Sequence, residues 1–340
     1  MALATTSLGP QSAPNQPAVL ERIQAARLAI VAELRKRIVG QQQAIDEVLT
    51  AMFAGGHTLV QGPPGTAKSV LIASIANVVD LSFKRIQFTP DLMPSDISGT
   101  EILEEDRTTG RRFTKLVKGP VFSNIVMADE INRTPPKTQA ALLEVMQEKQ
   151  VTLGGQTYPL PEPFFVLATQ IAMEQDGTYP LPEAQQDRFM LSVVMNYLPE
   201  DDEVQVVRAS TDAGKVQLAK VMQGQELLVF AKAVRDVCLP QALSRYIVDL
   251  VGSSRPRPDA ADFVRAYVAW GAGLRASQNM ALAAKSFAAQ AGRGTVVLED
   301  IRRAIVPVMR HRIGLSFRAE VDRVSVDEVI RRLIQALREP

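Results

Sequence analysis

The sequence predicts an α/β domain, with a parallel sheet between layers of helices, followed by a smaller all-α domain. Short apolar runs typical of buried parallel strands recur between residues 58 and 197, with helical patterns between them. From about residue 199 onward only helical stripes occur, separated by Gly, Pro and Ser. We therefore predict a tail at 1–17, the α/β domain at 18–198 and the helical domain at 199–340.

The composition is that of an ordinary globular protein. Of the 340 residues, 46% are hydrophobic, which is enough for sizeable cores. The 38 basic and 37 acidic residues leave a net charge of +1, so no global field favours nucleic acid. The single cysteine, Cys238, permits no internal disulfide. The tail is a mixture of Ser, Pro, Gln and Ala and is expected to be disordered. It lacks the basic start and apolar centre of a signal peptide, and no run in the chain reaches the roughly 18 apolar residues of a membrane span. These features predict a soluble, cytoplasmic protein.

The first predicted elements are two helices joined by a short link. Apolar residues recur at nearly helical spacing between residues 19 and 34, and a second helix is predicted over 42–53. The link contains Ile38 and Val39, an apolar pair just upstream of the first strand. In a phosphate-binding domain such a pair often lies over the nucleotide base, but both residues are equally well explained as core.

A strand, a glycine-containing loop and an apolar helix then follow one another over residues 57–76. This order is the context in which a G-x-x-x-x-G-K-[ST] loop binds phosphate through its backbone N–H groups. Lys68 would reach the outer phosphates, and the Ser69 hydroxyl would coordinate Mg2+. The candidate nucleotide-binding residues of this stretch are Gly62, Pro64, Gly65, Thr66, Ala67, Lys68, Ser69 and Val70.

Ala67 occupies the position of the second glycine in that pattern. An alanine is acceptable there if its backbone already has a negative, helical φ. We expect that conformation, because the residue stands one step before a helix. The alternative is a Gly/Pro turn that happens to precede a lysine, but such a turn does not explain Lys-Ser at the start of an apolar helix.

A polar, charged excursion lies beyond the second predicted strand, which covers 83–89. Residues 98–118 form two imperfectly alternating arms around a Thr-Thr-Gly turn, which predicts a β-hairpin that protrudes from the domain. A plain solvated excursion is the alternative. So long an excursion from a compact domain is usually functional.

A continuous apolar run over 125–128 ends in Asp129 and Glu130. This pattern is typical of a buried parallel strand whose C-terminal end opens onto a site. Asp129 would hold Mg2+ through its waters, and Glu130 would orient and deprotonate the water that attacks the γ-phosphate of a nucleoside triphosphate. A pair of surface acids is the alternative.

The remaining elements complete both domains. The pattern predicts a helix over 138–148, a hairpin over 151–161, a buried strand over 164–169 and a last strand over 192–197. In the second domain it predicts one small β pairing and helices over 201–210, 225–237, 241–252, 260–272, 278–291 and 298–309.

Four strings together resemble the MoxR family of AAA+ ATPases. They are the loop 62–69, the acidic strand end with its continuation at 129–133, and residues 135–144 and 179–185. The likeness covers nearly the whole chain after the tail. It implies an ASCE-type αβα domain with a helical lid, a ring that is expected to be hexameric, and ATP hydrolysis that remodels or activates partner proteins. It also implies partners that carry von Willebrand factor A domains.

The resemblance implies several residue roles as well. Ile38 and Val39 would lie in the base-contacting segment, and 98–118 would be the helix-2 insert. Arg188 would be the arginine finger that reaches a neighbouring subunit's γ-phosphate, a contribution worth about 10³ to 10⁵ in rate; a surface pair with Asp187 is the alternative. Arg275 would be the sensor-2 residue that contacts the γ-phosphate from the lid; a solvated arginine is the alternative.

The chain departs from the family at the sensor-1 position. Members usually have Ala-Thr-Gln-Asn-Pro where this chain has Ala168-Thr169-Gln170-Ile171-Ala172. Isoleucine cannot donate a hydrogen bond. We expect either that Gln170 or Thr169 takes over this role, or that hydrolysis is slow.

Two other functions stay open at this point. The first is a scaffold that uses ATP only to close a ring, which the Ile171 departure allows. The second is a nucleic-acid motor, because the insert carries Arg107, Arg111, Arg112, Lys115 and Lys118. The neutral overall charge argues against the motor.

Overall fold

The computed structural model describes residues 16–105, 112–170, 177–211 and 216–339. Residues 1–15 of the predicted tail, the tip of the predicted insert and Ile171 lie outside these ranges. Within them the helices are α1 Gln16–Leu34, α2 Gln42–Ala54, α3 Lys68–Val78, α4 Pro94–Ser98, α5 Pro136–Glu148, α6 Glu183–Gln186, α7 Glu200–Thr211, α8 Glu226–Asp236, α9 Gln241–Ser253, α10 Asp262–Tyr267, α11 Leu274–Gln290, α12 Leu298–Met309, α13 Phe317–Val321 and α14 Val326–Ala336. The strands are β1 Thr58–Gln61, β2 Phe83–Gln87, β3 Gly99–Glu105, β4 Arg112–Lys118, β5 Ile125–Asp129, β6 Gln150–Leu153, β7 Gln156–Pro159, β8 Phe165–Thr169, β9 Leu191–Val194, β10 Val268–Trp270 and β11 Gly314–Leu315.

In the part of the chain that the structure describes, the central sheet has five parallel strands in the order β2-β5-β8-β1-β9. The register aligns their C-terminal ends, because Gln87 pairs with Asp129 and Val60 with Thr169. Both faces of the sheet are buried, so the prediction of a parallel α/β domain followed by helices is confirmed.

Alternate strand residues face two different cores. One face packs against α1, α2 and α3 through Val60, Ile125, Met127, Phe165 and Leu167. The other packs against α5 through Leu59, Val126, Ala128, Val166 and Ala168. Near-continuous apolar strands are the consequence of this double coverage.

Two antiparallel hairpins lie beside the sheet. The predicted insert contains β3 and β4, paired from Gly99 with Lys118 to Glu105 with Arg112, and the predicted second hairpin is β6 with β7. The two hairpins touch, because a Cβ on Gly154 would lie 1.9 Å from a carboxylate oxygen of Glu101. Gly99 has φ +95°, and a Cβ there would lie 2.3 Å from the Val117 carbonyl oxygen, so the base of the insert requires glycine.

The helical part of the chain differs from its prediction in several places. The predicted helix 260–272 was too long, since α10 ends at Tyr267 and Val268–Trp270 form a strand with β11. The Trp270 ring lies directly over Gly314, where a Cβ would be 2.1 Å from ring atoms. Helices α13 and α14 were not predicted. Helix α14 is capped by the Ser325 hydroxyl, which accepts from Glu328 N–H.

The helical part packs on the α/β part through α2. Helices α8 and α11 both contact α2, and their buried residues belong to the same apolar cluster as α1 to α3. Among the described helices, none combines the length and apolarity needed to cross a membrane.

Candidate nucleotide site

The loop between β1 and α3 is built around two glycines. Gly62 has φ +144°, and a Cβ on it would lie 2.1 Å from the Met195 carbonyl oxygen. Gly65 has φ +82° with open space around it. The Thr66 hydroxyl donates to the Pro63 carbonyl at 3.0 Å and ties the turn together. The strand end, the loop and the start of α3 therefore have the predicted order.

The predicted conformation of Ala67 was wrong. Its φ is +62° and its ψ +24°, which is the left-handed region, and it caps α3 from there. The loop has to reverse direction before the helix begins, so its geometry overrides the preference of an L-residue. That preference is worth about 1–2 kcal/mol. Ala67 thus carries backbone strain at the position where the motif has glycine.

Lys68 lies across the loop that precedes it. Its ammonium donates to the carbonyl oxygens of Gly62 at 2.8 Å and Pro63 at 2.7 Å. Burial lowers the pKa of Lys68, while the carboxylates of Asp129 and Glu130 act in the opposite direction. The lysine of the loop and the two acids at the end of β5 therefore belong to one electrostatic site.

Asp129 is held by three donors. The Thr169 hydroxyl donates to Oδ1 at 2.6 Å, while Arg85 donates to Oδ2 from Nε at 2.9 Å and also from Nη2. Only 7% of Asp129 is exposed. Arg85 is not among the site residues predicted from the sequence. The feature of the sequence that could have indicated it is the alternation along β2, in which polar Arg85 and Gln87 flank buried Ile86.

Glu130 follows the strand in a left-handed conformation, with φ +57°. Its N–H donates to the Thr169 hydroxyl at 2.8 Å. Its carboxylate oxygen Oε2 accepts from Gln87 and from Arg133, both at 3.0 Å. Backbone and side chain are both held, so the carboxylate has a defined position beside Asp129.

Gln170 lies next to the phosphate-binding loop. It follows Thr169 at the end of β8, and its Oε1 accepts a 3.0 Å hydrogen bond from Nε2 of Gln61, the last residue of β1. Gln61 was also missed, since nothing in its local sequence distinguishes it from other strand ends. The neighbouring Ile171 is outside the described residues.

The candidate base segment contains one core residue and one half-buried residue. Ile38 is 4% exposed and belongs to the apolar cluster, whereas Val39 is half-buried. Gly40 lies close to Leu198 and Asp202, and the Gln41 side chain donates to the Asn196 carbonyl at 2.7 Å. The segment is thus fixed against the chain that leaves β9, and a base contact by Ile38 or Val39 stays a prediction.

Arg188 lies near the N-terminal ends of the parallel strands, whereas the loop lies at their C-terminal ends. It precedes β9, whose first residue Leu191 pairs with Thr58 at the start of β1, while the loop follows the end of β1. Its Nη1 donates to the Leu143 carbonyl at 2.6 Å. Three strand steps of about 3.3 Å separate the two ends of β1 by about 10 Å.

Arg275 lies near Arg188, at the same N-terminal end of the strands. It donates from Nη1 to Asp187 Oδ2 at 3.0 Å, and Arg312 donates from Nε to Asp187 Oδ1 at 2.7 Å. Burial lowers the pKa of Arg312, and the Asp187 carboxylate opposes that effect. Among the described residues no ion pair joins Asp187 to Arg188. Arg312, which was not predicted from the sequence, is 5% exposed and connects the lid to the chain beside Arg188.

The residues at the loop fit a magnesium nucleotide. In the described ranges, no group of three or more His, Cys, Asp or Glu side chains could hold a metal by itself. The candidate metal donors are the Ser69 hydroxyl and the Asp129 carboxylate. One or two protein oxygens suit Mg2+, which takes its other ligands from phosphates and water. Asp129 would have to exchange its bonds from Arg85 to bind the metal directly.

Comparison with known proteins defines the class. Residues 57–191 match the family model described as "ATPase family associated with various cellular activities (AAA)", and residues 260–333 match the AAA lid domain. A crystal structure of a candidate ATPase from Cytophaga hutchinsonii has a TM-score of 0.86 and is 38% identical, covering 94% of this chain and 97% of its own. The fold and the loop are thus those of an AAA+ ATPase with its lid.

Relatives identify the family more closely. Chaperone MoxR1 of Mycobacterium tuberculosis is 40% identical over 309 residues, which cover 91% of this chain and 81% of that protein. Protein MoxR of Paracoccus denitrificans is 30% identical, covering 84% of this chain and 87% of its own. The chain belongs to the MoxR-type AAA+ ATPases, and the predicted resemblance is confirmed.

Proposed function

We propose that this chain binds ATP with Mg2+ at the β1–α3 loop and hydrolyses it between neighbouring subunits of a ring. The observation that carries the proposal is the distribution of charge over the sheet. Lys68, Asp129 and Glu130 lie at the C-terminal edge, whereas Arg188 and Arg275 lie near the N-terminal end of β1. One chain thus offers a phosphate site at one edge and two arginines at the other. A head-to-tail ring, expected to be a hexamer, would bring the two edges together.

Each residue has a distinct task in this proposal. The loop N–H groups and Lys68 bind the phosphates, and Ser69 and Asp129 hold Mg2+, which when bound neutralises phosphate charge. Glu130, fixed by Gln87 and Arg133, orients and deprotonates the attacking water. Arg188 of the adjacent subunit stabilises charge in the transition state, and Arg275 assists it from the lid.

Mixing two inactive variants tests the shared site. Lys68→Ala removes phosphate binding but leaves the arginine edge, and Arg188→Ala does the reverse. Each variant alone should be inactive, whereas an equal mixture should recover ATPase activity at about a quarter of the interfaces, as random assembly requires. Replacing Arg188→Ala by Arg275→Ala in the mixture tests the same role for Arg275.

A matched control uses two defects in the same site. A mixture of Lys68→Ala and Glu130→Gln should recover nothing, because no subunit in it has a complete phosphate edge. Recovery in this control, or none in the Lys68→Ala and Arg188→Ala mixture while the variants still co-assemble, would contradict a site shared between subunits.

For the client, we propose a protein with a von Willebrand factor A domain. The support is the family, one of whose members is named a chaperone. Glu130→Gln should trap the ATP-bound ring and strengthen binding to a purified domain of this kind. If Glu130→Gln still activates the client fully, we would conclude that the chain is a scaffold that binds ATP to close a ring and does not need to hydrolyse it.

The contacts of the insert weigh against a nucleic-acid motor. Of its described basic residues, Lys115 pairs with Glu104 and Arg112 with Glu105, and Lys118 lies over the Phe122 ring at 5.2 Å. Ion pairs on the same hairpin reduce the charge available to phosphates. We therefore expect no salt-dependent DNA affinity.

A further inference from the structure

We propose that Gln170 supplies the hydrogen-bond donor that the sensor-1 position lacks, and that Gln61 is the positioning residue that turns the Gln170 amide toward the phosphates. This inference rests on the proposed hydrolysis of ATP. It follows from the hydrogen bonds that Thr169, Gln170 and Gln61 make at the ends of β8 and β1.

Thr169 is already committed to the acids. A threonine hydroxyl has one hydrogen to donate. That of Thr169 goes to Asp129 Oδ1 at 2.6 Å, while its oxygen accepts the Glu130 N–H at 2.8 Å. Thr169 is also 1% exposed. While these bonds stand, it fixes Asp129 and Glu130 but cannot donate to a phosphate or a water.

Gln170 has donors to offer in a defined direction. Val60 pairs with Thr169 in the parallel register, so the residues that follow them, Gln61 and Gln170, lie beside each other at the ends of β1 and β8. Gln61 donates from Nε2 to Gln170 Oε1 at 3.0 Å, and Gln61 immediately precedes Gly62 of the phosphate loop. An amide has one oxygen and one NH2 group with two N–H donors. With the oxygen turned toward Gln61, the NH2 group of Gln170 points away from it.

Gln170 is the carboxamide that this stretch retains, because Ile171 stands where the family pattern has the asparagine that follows the glutamine. The family has asparagine one residue later, and glutamine carries the same donor on a side chain longer by one methylene. The amide is oriented before ATP arrives, so no free energy is spent on turning it during the reaction. Loss of one such preorganised donor costs on the order of 10² to 10³ in kcat.

The experiment compares steady-state ATPase kinetics and separately measured ATP binding for the unmodified chain and four variants. Gln170→Leu should lower kcat about 10²-fold with little change in ATP affinity, since the donor acts mainly on the transition state. Gln61→Glu should also lower kcat, because a carboxylate only accepts and would draw the Gln170 NH2 group toward itself. The double variant should be no slower than Gln170→Leu alone. Ile171→Asn in the Gln170→Leu background should restore turnover.

Gln225→Glu is the matched control for the glutamine-to-glutamate change. Gln225 is exposed and donates to the Glu162 carbonyl far from the loop, so its variant should keep the kcat of the unmodified chain. It shows whether added negative charge alone affects turnover.

Three results would overturn the inference. One is a Gln170→Leu variant with unchanged kcat; another is a double variant whose loss is the product of the two single losses, which would mean that Gln61 does not act through Gln170. In both cases the unmodified chain hydrolyses ATP and the proposed function survives. If the unmodified chain binds ATP and never hydrolyses it, the proposed function and this inference fall together.

Discussion

His57 makes the stability of this protein depend on pH in a direction that its contacts determine. The backbone N–H of Val166 donates to Nδ1 at 3.0 Å, so that nitrogen must be the acceptor. The other nitrogen, Nε2, then carries the hydrogen and donates to the Met146 carbonyl at 3.1 Å. Burial lowers the pKa of His57 to about 4. A second proton would break the bond from Val166 and place a charge at a poorly solvated position.

The magnitude follows from proton linkage. The folded pKa of about 4 lies below the ordinary value of 6.5, so the unfolded chain binds more protons between these two values. Stability is therefore present above pH 6.5 and is lost as the pH falls toward 4. From pH 7 to pH 5, His57 should remove about 1.8 kcal/mol from the free energy of unfolding.

The assay is urea unfolding at pH 7 and pH 5 for the unmodified chain and for His57→Gln. Glutamine can keep a donor near the Met146 carbonyl but does not titrate. His311, the other histidine, is present in both proteins, so its contribution cancels. The variant should lose about 1.8 kcal/mol less than the unmodified chain over this interval. Equal losses in the two proteins would refute the assigned tautomer and its low pKa.

Three further perturbations test other contacts. Ala67→Gly should raise the free energy of unfolding by about 0.5–1 kcal/mol in thermal unfolding, because relief of the left-handed strain exceeds the entropy cost of glycine; a lower stability would contradict the strain. Arg85→Leu should lower the Mg2+ concentration for half-maximal ATPase activity about 1.5- to 5-fold, as expected when an exposed cation worth about 0.2–1 kcal/mol leaves Asp129; an unchanged Mg2+ requirement would show that Arg85 does not compete with the metal. Asp187→Asn should destabilise the fold by about 2 kcal/mol, because buried Arg312 loses its carboxylate and keeps only carbonyl acceptors; unchanged thermal stability would argue against this ion pair.

Local patterns were sufficient for most of the elements and for the order of strand, loop and helix around Lys68. The strand, loop and helix around Lys68 are contiguous in sequence, so their chemistry could be predicted without knowing the fold. Asp129 and Glu130 were predicted because a buried parallel strand that ends in acids places them at the C-terminal end of the sheet. The end of the helix predicted over 260–272 was missed, because a pairing with the distant Gly314 overrides its helical pattern.

Conformation at single residues was less predictable. Ala67 was expected to have a negative φ on the basis of its neighbours, yet the direction in which the chain must enter α3 imposes the opposite sign. The family resemblance marked Ile171 as a departure but left two candidates to replace it. Hydrogen bonds to Asp129 and from Gln61 distinguish Thr169 from Gln170, and such bonds join residues far apart in the chain.

The sequence by itself determined the fold class, the loop that fits phosphate, the pair of acids and the MoxR-type family, because each depends on residues close together in the chain. Only the tertiary structure decided which groups surround those acids and where the arginines lie. The pairing of β9 beside β1 puts Arg188 and Arg275 at the edge opposite Lys68, and the pairing of β2 beside β5 brings Arg85 to Asp129. Strand order arises from packing over the whole sheet, which no local stretch of sequence specifies.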